Sequence, residues 1–312
     1  MKERAIVIVG PTGVGKSDLG VLVAEGVHGE IVSADSMQVY RHMDIGTGKI
    51  RPEETRGVPH HLMSVINPDQ NFTVAEYVQR ADIAMKQIAA RGRIPVVVGG
   101  TGLYVKALVE DFLFPDKGAD WEFRDRMRDL AIAEGNGALH ERLQRIDRIA
   151  AERLHPNDIR RVIRALEVFE NTGVPMSQQI SSHGPSERRY DTTTVGLTCH
   201  RDELYRRIDL RVDGMIELGL VDEVKALMAA GYCEALTSMQ ALGYKEIVGY
   251  LKGQYDLSTA IDILKRDTRR YAKRQLSWFT KDKDAQWFDR ADWPDMKQLA
   301  RHIALLLAGS LR

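Results

Sequence analysis

Short apolar runs alternate with longer amphipathic stretches through the N-terminal part of the chain. Ala5–Gly10 (AIVIVG), Glu30–Asp35 (EIVSAD) and Pro95–Gly99 (PVVVG) are near-continuous apolar runs, the pattern of strands buried on both faces. Ser17–Val27 and Val74–Arg91 carry apolar residues at helical spacing. Buried strands separated by helices predict a parallel sheet covered on both sides, hence an α/β fold.

The pattern changes near Pro115. From Trp121 to about Asn171 it is helical and heavily charged, with no strand signal. His183-Gly184-Pro185-Ser186 reads as a loop, and Thr192–Cys199 (TTTVGLTC) as a returning strand. The expected organisation is a core of residues 1–115 and 189–312 interrupted by a helical insertion at 116–188. After Cys199 the chain is expected to be helical almost to its end. Leu210–Val224 reads as a pair of amphipathic helices.

Composition narrows the function classes. Lys plus Arg is 44 and Asp plus Glu is 44 in 312 residues, so the overall charge exerts no pull on nucleic acid, which would need a local basic patch. Two cysteines, Cys199 and Cys233, are too few for a disulfide framework or a Cys-rich zinc site. The N-terminus lacks a signal-peptide pattern, and the apolar runs are too short to span a bilayer. A cytoplasmic protein with no membrane association is expected.

Residues 10–17 read GPTGVGKS, the full P-loop pattern G-x-x-x-x-G-K-[ST]. The run Gly10, Pro11, Thr12, Gly13, Val14, Gly15, Lys16, Ser17 lets backbone amides approach an anion. Lys16 adds charge, and the following helix points its positive end at the same spot. Ser17 offers a hydroxyl to a phosphate-bound Mg²⁺. The motif predicts a di- or triphosphate site without saying whose phosphate it is.

A P-loop ATPase usually has an acid after a later apolar strand. Here PVVVG is followed by Gly100-Thr101-Gly102 instead. The acid ends the second strand, as Asp35. Ligands of open parallel sheets bind at the carboxyl ends of strands, so Asp35 and Thr101 should face the P-loop crevice. Asp35 is a candidate general base, or else a turn or N-cap carboxylate. Thr101 could bond a leaving pyrophosphate, or cap the helix beginning near Leu103. His60-His61 read as polar-contact histidines, since no third metal ligand lies at suitable spacing.

Two basic clusters stand out. Between Lys265 and Lys283 there are eight cationic residues against two acidic ones. Arg266, Arg269, Arg270 and Lys273 follow i, i+3, i+4, i+7 spacing, which makes one helical stripe, a footprint suited to a phosphate backbone or a merely solvated face. The second cluster is HPNDIRRVIRALE, in which Asp158 is expected to cap a helix. Arg160, Arg161 and Arg164 crowd its first turns against the dipole, which suggests an external anion or pairing with Glu167 or Glu170. Arg211 is the cation best placed to reach the phosphate site.

These segments together resemble the tRNA dimethylallyltransferase family, also called tRNA isopentenyl-pyrophosphate transferase. The matching strings are GPTGVGKS, SADSMQVYRHMDIGTGK, GVPHHL, VVVGGTGLYVKAL, HPNDIRRVIRALEV, RVDGMIELGLVDEV, ALGYKEI and TRRYAKRQLSWF. They run in the family's order from residue 10 to about 280. No C-terminal zinc-finger pattern follows them, so the resemblance is to the bacterial type.

The resemblance implies a P-loop NTPase-like parallel sheet flanked by helices, with a helical insertion domain and a helical C-terminal part. It implies transfer of a dimethylallyl group from dimethylallyl pyrophosphate to N6 of the adenosine at position 37 of tRNA. The P-loop, Mg²⁺ on Ser17, and Arg211 would hold the pyrophosphate, with Asp35 as base and Thr101 and Lys16 supporting the leaving group. Asp35, Ser36, Met37, Gln38 and Thr101 would meet the flipped base. Phe123, Arg160, Arg161 and Arg164 of the insertion would meet the anticodon stem-loop, and Arg266, Arg269, Arg270 and Lys273 the tRNA backbone. Arg160 stands where a common family form has Gln, which leaves its own role open. A monomer is expected. A small-molecule kinase and a non-catalytic RNA-binding P-loop protein are the competing readings, and the GGTGLY and YAKRQ strings count against the first.

Overall fold

The computed structural model describes residues 2–110, 119–182 and 188–309. They form two compact units, one of Met1–Glu110 with Arg188–Arg312 and the other within Asp111–Glu187. The first unit is built on a six-stranded parallel sheet. Its strands are β1 (Arg4–Val9), β2 (Gly29–Ser33), β3 (His60–His61), β4 (Ile94–Val98), β5 (Asp191–Thr198) and β6 (Gln286–Asp289), in the order β3-β2-β4-β1-β5-β6. In the centre, Ile8 pairs with Val98 on one side and Val195 on the other.

The four strands expected from apolar runs are all present. Two more were not expected. β3 has only two residues, and β6 (QWFD) is a short edge strand with two apolar residues, too little for a periodic signal. The C-terminal region is therefore helical except for β6.

Helices cover both faces, as the apolar strands require. They are α1 (Lys16–Gly26), α2 (Val74–Ala90), α3 (Gly102–Val109), and, beyond the insertion, α9 (Arg201–Glu217), α10 (Leu220–Ala229), α11 (Tyr244–Leu251), α12 (Leu257–Phe279) and α13 (Met296–Gly309). Leu19 and Val23 of α1 meet Ile8 and Val98 of the sheet, Ile208 of α9, and Leu299 and Ile303 of α13 in one buried cluster. A second cluster joins Val39, Tyr40 and Met43 to Val212, Leu220, Val224, Tyr244 and Leu264. The pair expected over Leu210–Val224 is α9 and α10, broken at Gly219, whose φ of 96° is the left-handed turn between them.

The second unit is all-helical: α4 (Trp121–Glu134), α5 (Asn136–Ile146), α6 (Arg148–Arg153), α7 (Ile159–Thr172) and α8 (Met176–Ser182). Leu139, Leu143, Val162, Ile163 and Leu166 form its core. Glu167 is fully buried there. It accepts from the Asp120 amide at 2.8 Å, from Arg124 at both oxygens (2.8 Å each), and from Arg164 at 2.6 Å. No described helix is long and apolar enough to cross a membrane.

Candidate active site

The P-loop connects β1 to α1 at the carboxyl edge of the sheet. Gly15 immediately precedes α1 with φ 106°, a conformation L side chains rarely adopt, and a Cβ there would stand 2.9 Å from Arg290 Nη1. The loop and α9 together line a cleft of about 390 Å³, bounded by Gly13, Gly15, Lys16, Ser17, Asp18, Arg206, Arg207, Leu210 and Arg211. Lys16 and Arg211 are half-buried, with their sides packed in protein and the cleft in front of them.

The electrostatics of this cleft are unbalanced toward positive. Burial lowers the Lys16 ammonium to about 7; the nearby Arg211 lowers it too, and Asp35 opposes both. Burial also lowers Arg211, against the pull of Asp35 and Asp18. Arg207 is lowered by burial and by Arg290. Cations crowded together and short of counter-charge form a site that favours a multiply charged anion. Lys16 Nζ donates to the Pro11 carbonyl at 2.8 Å.

Asp35 and Thr101 lie on the same edge, beyond β2 and β4. Asp35 Oδ1 accepts from the amides of Met37 (2.9 Å) and Gln38 (3.4 Å), the turn role that was one of its two expected readings. Among the described residues, Oδ2 accepts no hydrogen bond. Thr101 occupies the N-cap position of α3, but its side chain makes no cap bond there. Its Oγ1 accepts from the Ser36 amide at 3.0 Å and donates to Ser36 Oγ at 3.3 Å, tying the two strand ends together. The Gln38 amide is held within the protein: Nε2 donates to the Thr47 and Gly48 carbonyls (3.4 Å each), and Oε1 accepts from Ser33 at 3.2 Å. Met37 packs at the edge of the second core cluster.

Arg211 lies against the Thr47–Gly48 turn so closely that a Cβ on Gly48 would be 1.8 Å from its Nη2. On the other side, Trp278 of α12 packs over Gly102, where a Cβ would stand 2.2 Å from the indole. His60 and His61 make the polar contacts expected of them: His60 Nδ1 lies 2.8 Å from the Val58 carbonyl and His61 Nε2 2.6 Å from Glu30. No cluster of three potential metal-ligating His, Cys, Asp or Glu residues occurs among the described residues. Oxygen donors are nonetheless present. Ser17 borders both the cleft and a cavity of about 20 Å³ shared with Ser33 and Gln38. Mg²⁺ keeps most of its waters and takes few protein ligands beside phosphate oxygens, so this donor set fits it.

Three residues at the P-loop had not been expected. Gln275 Oε1 accepts the Thr12 amide at 2.8 Å, Arg207 Nε donates to the Gly13 carbonyl at 2.9 Å, and Arg290 Nη1 donates to the Val14 carbonyl at 3.4 Å. Arg207 stands one helical turn before Arg211, a spacing that could have pointed to it. Arg290 carried no signal.

The basic clusters are partly paired within the protein. Arg269 does not lie free on the α12 stripe. It bonds Asp209 of α9 at 2.5 Å and lies 5.9 Å from the Tyr205 ring. Arg266 and Arg270 are exposed and share Asp267 (2.9 and 3.3 Å), while Lys273 is exposed without a salt bridge among the described residues. In the second unit, Asp158 sits at the N-cap of α7 without capping it, and pairs with Arg161 at 2.9 Å instead. Arg164 pairs with Glu167, one of its two expected partners. Arg160 is exposed. Phe123, expected at a tRNA contact, is 6% exposed and packs into the unit's core, because the Asp120 cap turns the start of α4 inward.

A P-loop, an aspartate and a threonine thus share one edge of the sheet, and comparison with known proteins gives the family. A model of the IPP transferase family matches residues 38–282. A tRNA dimethylallyltransferase of Carboxydothermus hydrogenoformans is 51% identical over 289 residues, covering 93% of each chain. The chain belongs to the tRNA dimethylallyltransferase family. Membership makes it a prenyl-transferring enzyme. The tRNA dimethylallyltransferase of Alkaliphilus oremlandii is 47% identical over 97% of this chain and 96% of its own. Among solved structures, the full-length tRNA isopentenylpyrophosphate transferase of Bacillus halodurans is 45% identical with a TM-score of 0.74, covering 100% of this chain and 97% of that one. A eukaryotic dimethylallyltransferase described as acting on tRNA is 30% identical with a TM-score of 0.82, covering 96% of this chain and 78% of that one. The tRNA dimethylallyltransferase fold is thus shared across nearly the whole chain.

Proposed function

We propose that the protein transfers the dimethylallyl group of dimethylallyl pyrophosphate to N6 of the adenosine at position 37 of tRNA, in the cytoplasm and as a monomer. The observation that carries this reading is the pairing of an electropositive P-loop cleft with Asp35, whose second oxygen accepts no hydrogen bond among the described residues. A P-loop ATPase carries its acid after a later apolar strand, where this chain has Gly100-Thr101-Gly102 instead. A prenyl transfer needs both parts.

In this reading the allylic C–O bond breaks and a C–N6 bond forms. Adenine N6 is a poor nucleophile because its lone pair is delocalised into the ring. Asp35 takes the N6 proton as the new bond forms. Lys16, Arg211 and the P-loop amides stabilise the charge that grows on the leaving pyrophosphate. Thr101 is a further donor to that group, once its hydroxyl turns from Ser36. Ser17 would hold Mg²⁺ together with phosphate oxygens, and the ion would neutralise part of the same charge. The adenosine must leave its stack to reach Asp35, and the Asp35–Gln38 segment would read it. Arg160, Arg161 and Arg164 would meet the anticodon stem-loop; the latter two must exchange Asp158 and Glu167 for phosphate to do so.

The test is incubation of the purified protein with unmodified tRNA, Mg²⁺ and dimethylallyl pyrophosphate, followed by nucleoside mass spectrometry. One C₅H₈ unit gained on an adenosine beside the anticodon is expected. Asp35→Ala should lower the rate by roughly 10²- to 10⁴-fold with donor and tRNA binding little changed. An Asp35→Ala enzyme as fast as the wild type would remove Asp35 as the base.

A further inference from the structure

Gln275 lies on the inner face of α12 and is 5% exposed. Both ends of its carboxamide are engaged. Oε1 accepts the amide of Thr12 in the P-loop at 2.8 Å, and Nε2 donates to the carbonyl of Gly100 at 2.9 Å. The orientation of the amide is fixed by its partners, since a backbone N–H only donates and a carbonyl only accepts. The approach is close enough that a Cβ on Gly100 would stand 2.1 Å from Nε2.

These two partners belong to different halves of the site. Thr12 is part of the phosphate cradle. Gly100 precedes Thr101, whose hydroxyl holds Ser36 beside Asp35. One turn earlier on α12, Tyr271 stands near Thr101 and Gln275. A single buried side chain thus spans the gap between the donor cradle and the acceptor segment.

We propose that Gln275 is a positioning residue that sets the distance and register between the P-loop and the Gly100–Thr101 segment, so that the allylic carbon and the acceptor nitrogen meet at attack geometry. The inference rests on the transfer reaction proposed above. Bringing two bound reactants together depends on small distances, and a displacement of about 1 Å costs on the order of 10²-fold in rate. Both ends of the Gln275 amide are engaged by backbone groups, so its loss is expected to act on turnover more than on binding.

Three variants test this. Gln275→Met keeps the bulk and removes both hydrogen bonds. Gln275→Asn keeps the amide and shortens its reach. Both are expected to lower kcat on the order of 10²-fold, with KM for tRNA and donor changed only a few-fold. Gln275→Glu gives a signature that a packing role would not produce. As a carboxylate it still accepts from Thr12 but faces the Gly100 carbonyl with no proton to donate. Protonated, it regains the donor. Its activity relative to wild type should therefore climb as pH falls, while the Gln275→Met ratio stays flat. Thermal unfolding of each variant checks that the fold is intact.

Wild-type kcat in Gln275→Met or in Gln275→Asn would overturn the proposal, and so would a pH-independent Gln275→Glu ratio. A wild-type enzyme that makes no prenylated adenosine would overturn the transfer reading itself, which separates the two failures.

Discussion

Glu223 accepts the hydroxyl of Tyr244 at 2.6 Å, and the same carboxylate holds the amides of Asp44, Ile45 and Gly46 at 2.9, 2.8 and 3.1 Å. Four donors converge on one anion. They belong to α11 and the loop between β2 and β3, and Glu223 itself to α10, so it fixes that loop to the helical side of the core unit. The next two residues, Thr47 and Gly48, supply the carbonyls that hold Gln38, and Gly48 rests on Arg211. Glu223→Ala leaves three amides and a phenol without their acceptor. A stability loss of about 2 kcal/mol or more is expected, since hydrogen bonds to charged groups are the strong ones. Hydrogen exchange at residues 44–46 should accelerate in the variant. Unchanged exchange there would show that the loop holds itself.

The parts of the site that were legible in the sequence are those that follow strands. β1, β2 and β4 are apolar runs that end in GPTGVGKS, ADSMQ and GGTG, and parallel strands place their carboxyl ends on one edge. That rule alone puts Lys16, Asp35 and Thr101 in one crevice. Gln275 is 263 residues from Thr12, and no local pattern says which helix returns to the P-loop. Helical spacing grouped Arg269 with Arg266 and Lys273. It could not show that Asp209 of a neighbouring helix draws Arg269 off the solvent face. The burial of Phe123 was illegible for the same reason. Which face of a charged helix turns inward depends on its neighbours, here Leu139, Val162 and Leu166.

Lys16 should make phosphate binding pH-dependent. Its folded-state value of about 7 lies below the ordinary 10.5, chiefly through burial. The unfolded chain therefore binds more protons between these values, and this group's contribution to stability rises with pH across that window. A bound pyrophosphate supplies counter-charge and raises the ammonium's pKa. Binding near pH 8 should take up a proton, and affinity should fall as pH climbs above 7. Calorimetry in buffers of different ionisation enthalpy reads the uptake, with Lys16→Gln as the reference for the ligand's own titration. Equal uptake in both proteins would exclude Lys16 as the source.

Glu167 anchors the helical unit. Burial alone would raise its carboxyl, but the hydrogen bonds of Arg124 and Arg164 and of the Asp120 amide prevail and hold it below the usual 4.5. Its contribution is present above pH 4.5 and is lost as pH falls through the depressed folded value. Glu167→Ala strands Arg124 and Arg164 and should cost about 3 kcal/mol in this unit. Hydrogen exchange in α4 and α7 should rise, while β1, β4 and β5 keep their protection. A uniform change over both units would show that they unfold together.

The corrected geometry of α12 separates two lysine and arginine roles that helical spacing had merged. Lys273 is exposed and without a salt bridge among the described residues, so a phosphate that it meets displaces only water and counterions. Arg269 is held by Asp209 at 2.5 Å, and a phosphate would have to compete with that carboxylate. Lys273→Ala should therefore weaken tRNA binding and reduce the slope of log affinity against log salt by about 1. Arg269→Ala should leave that slope nearly unchanged and act on stability through the lost α9–α12 pairing. Binding titrations at several salt concentrations decide the matter. A slope that changes for Arg269→Ala and not for Lys273→Ala would mean that tRNA approaches from the α9 side and opens the Asp209 pair, which would move the interface toward the phosphate cleft.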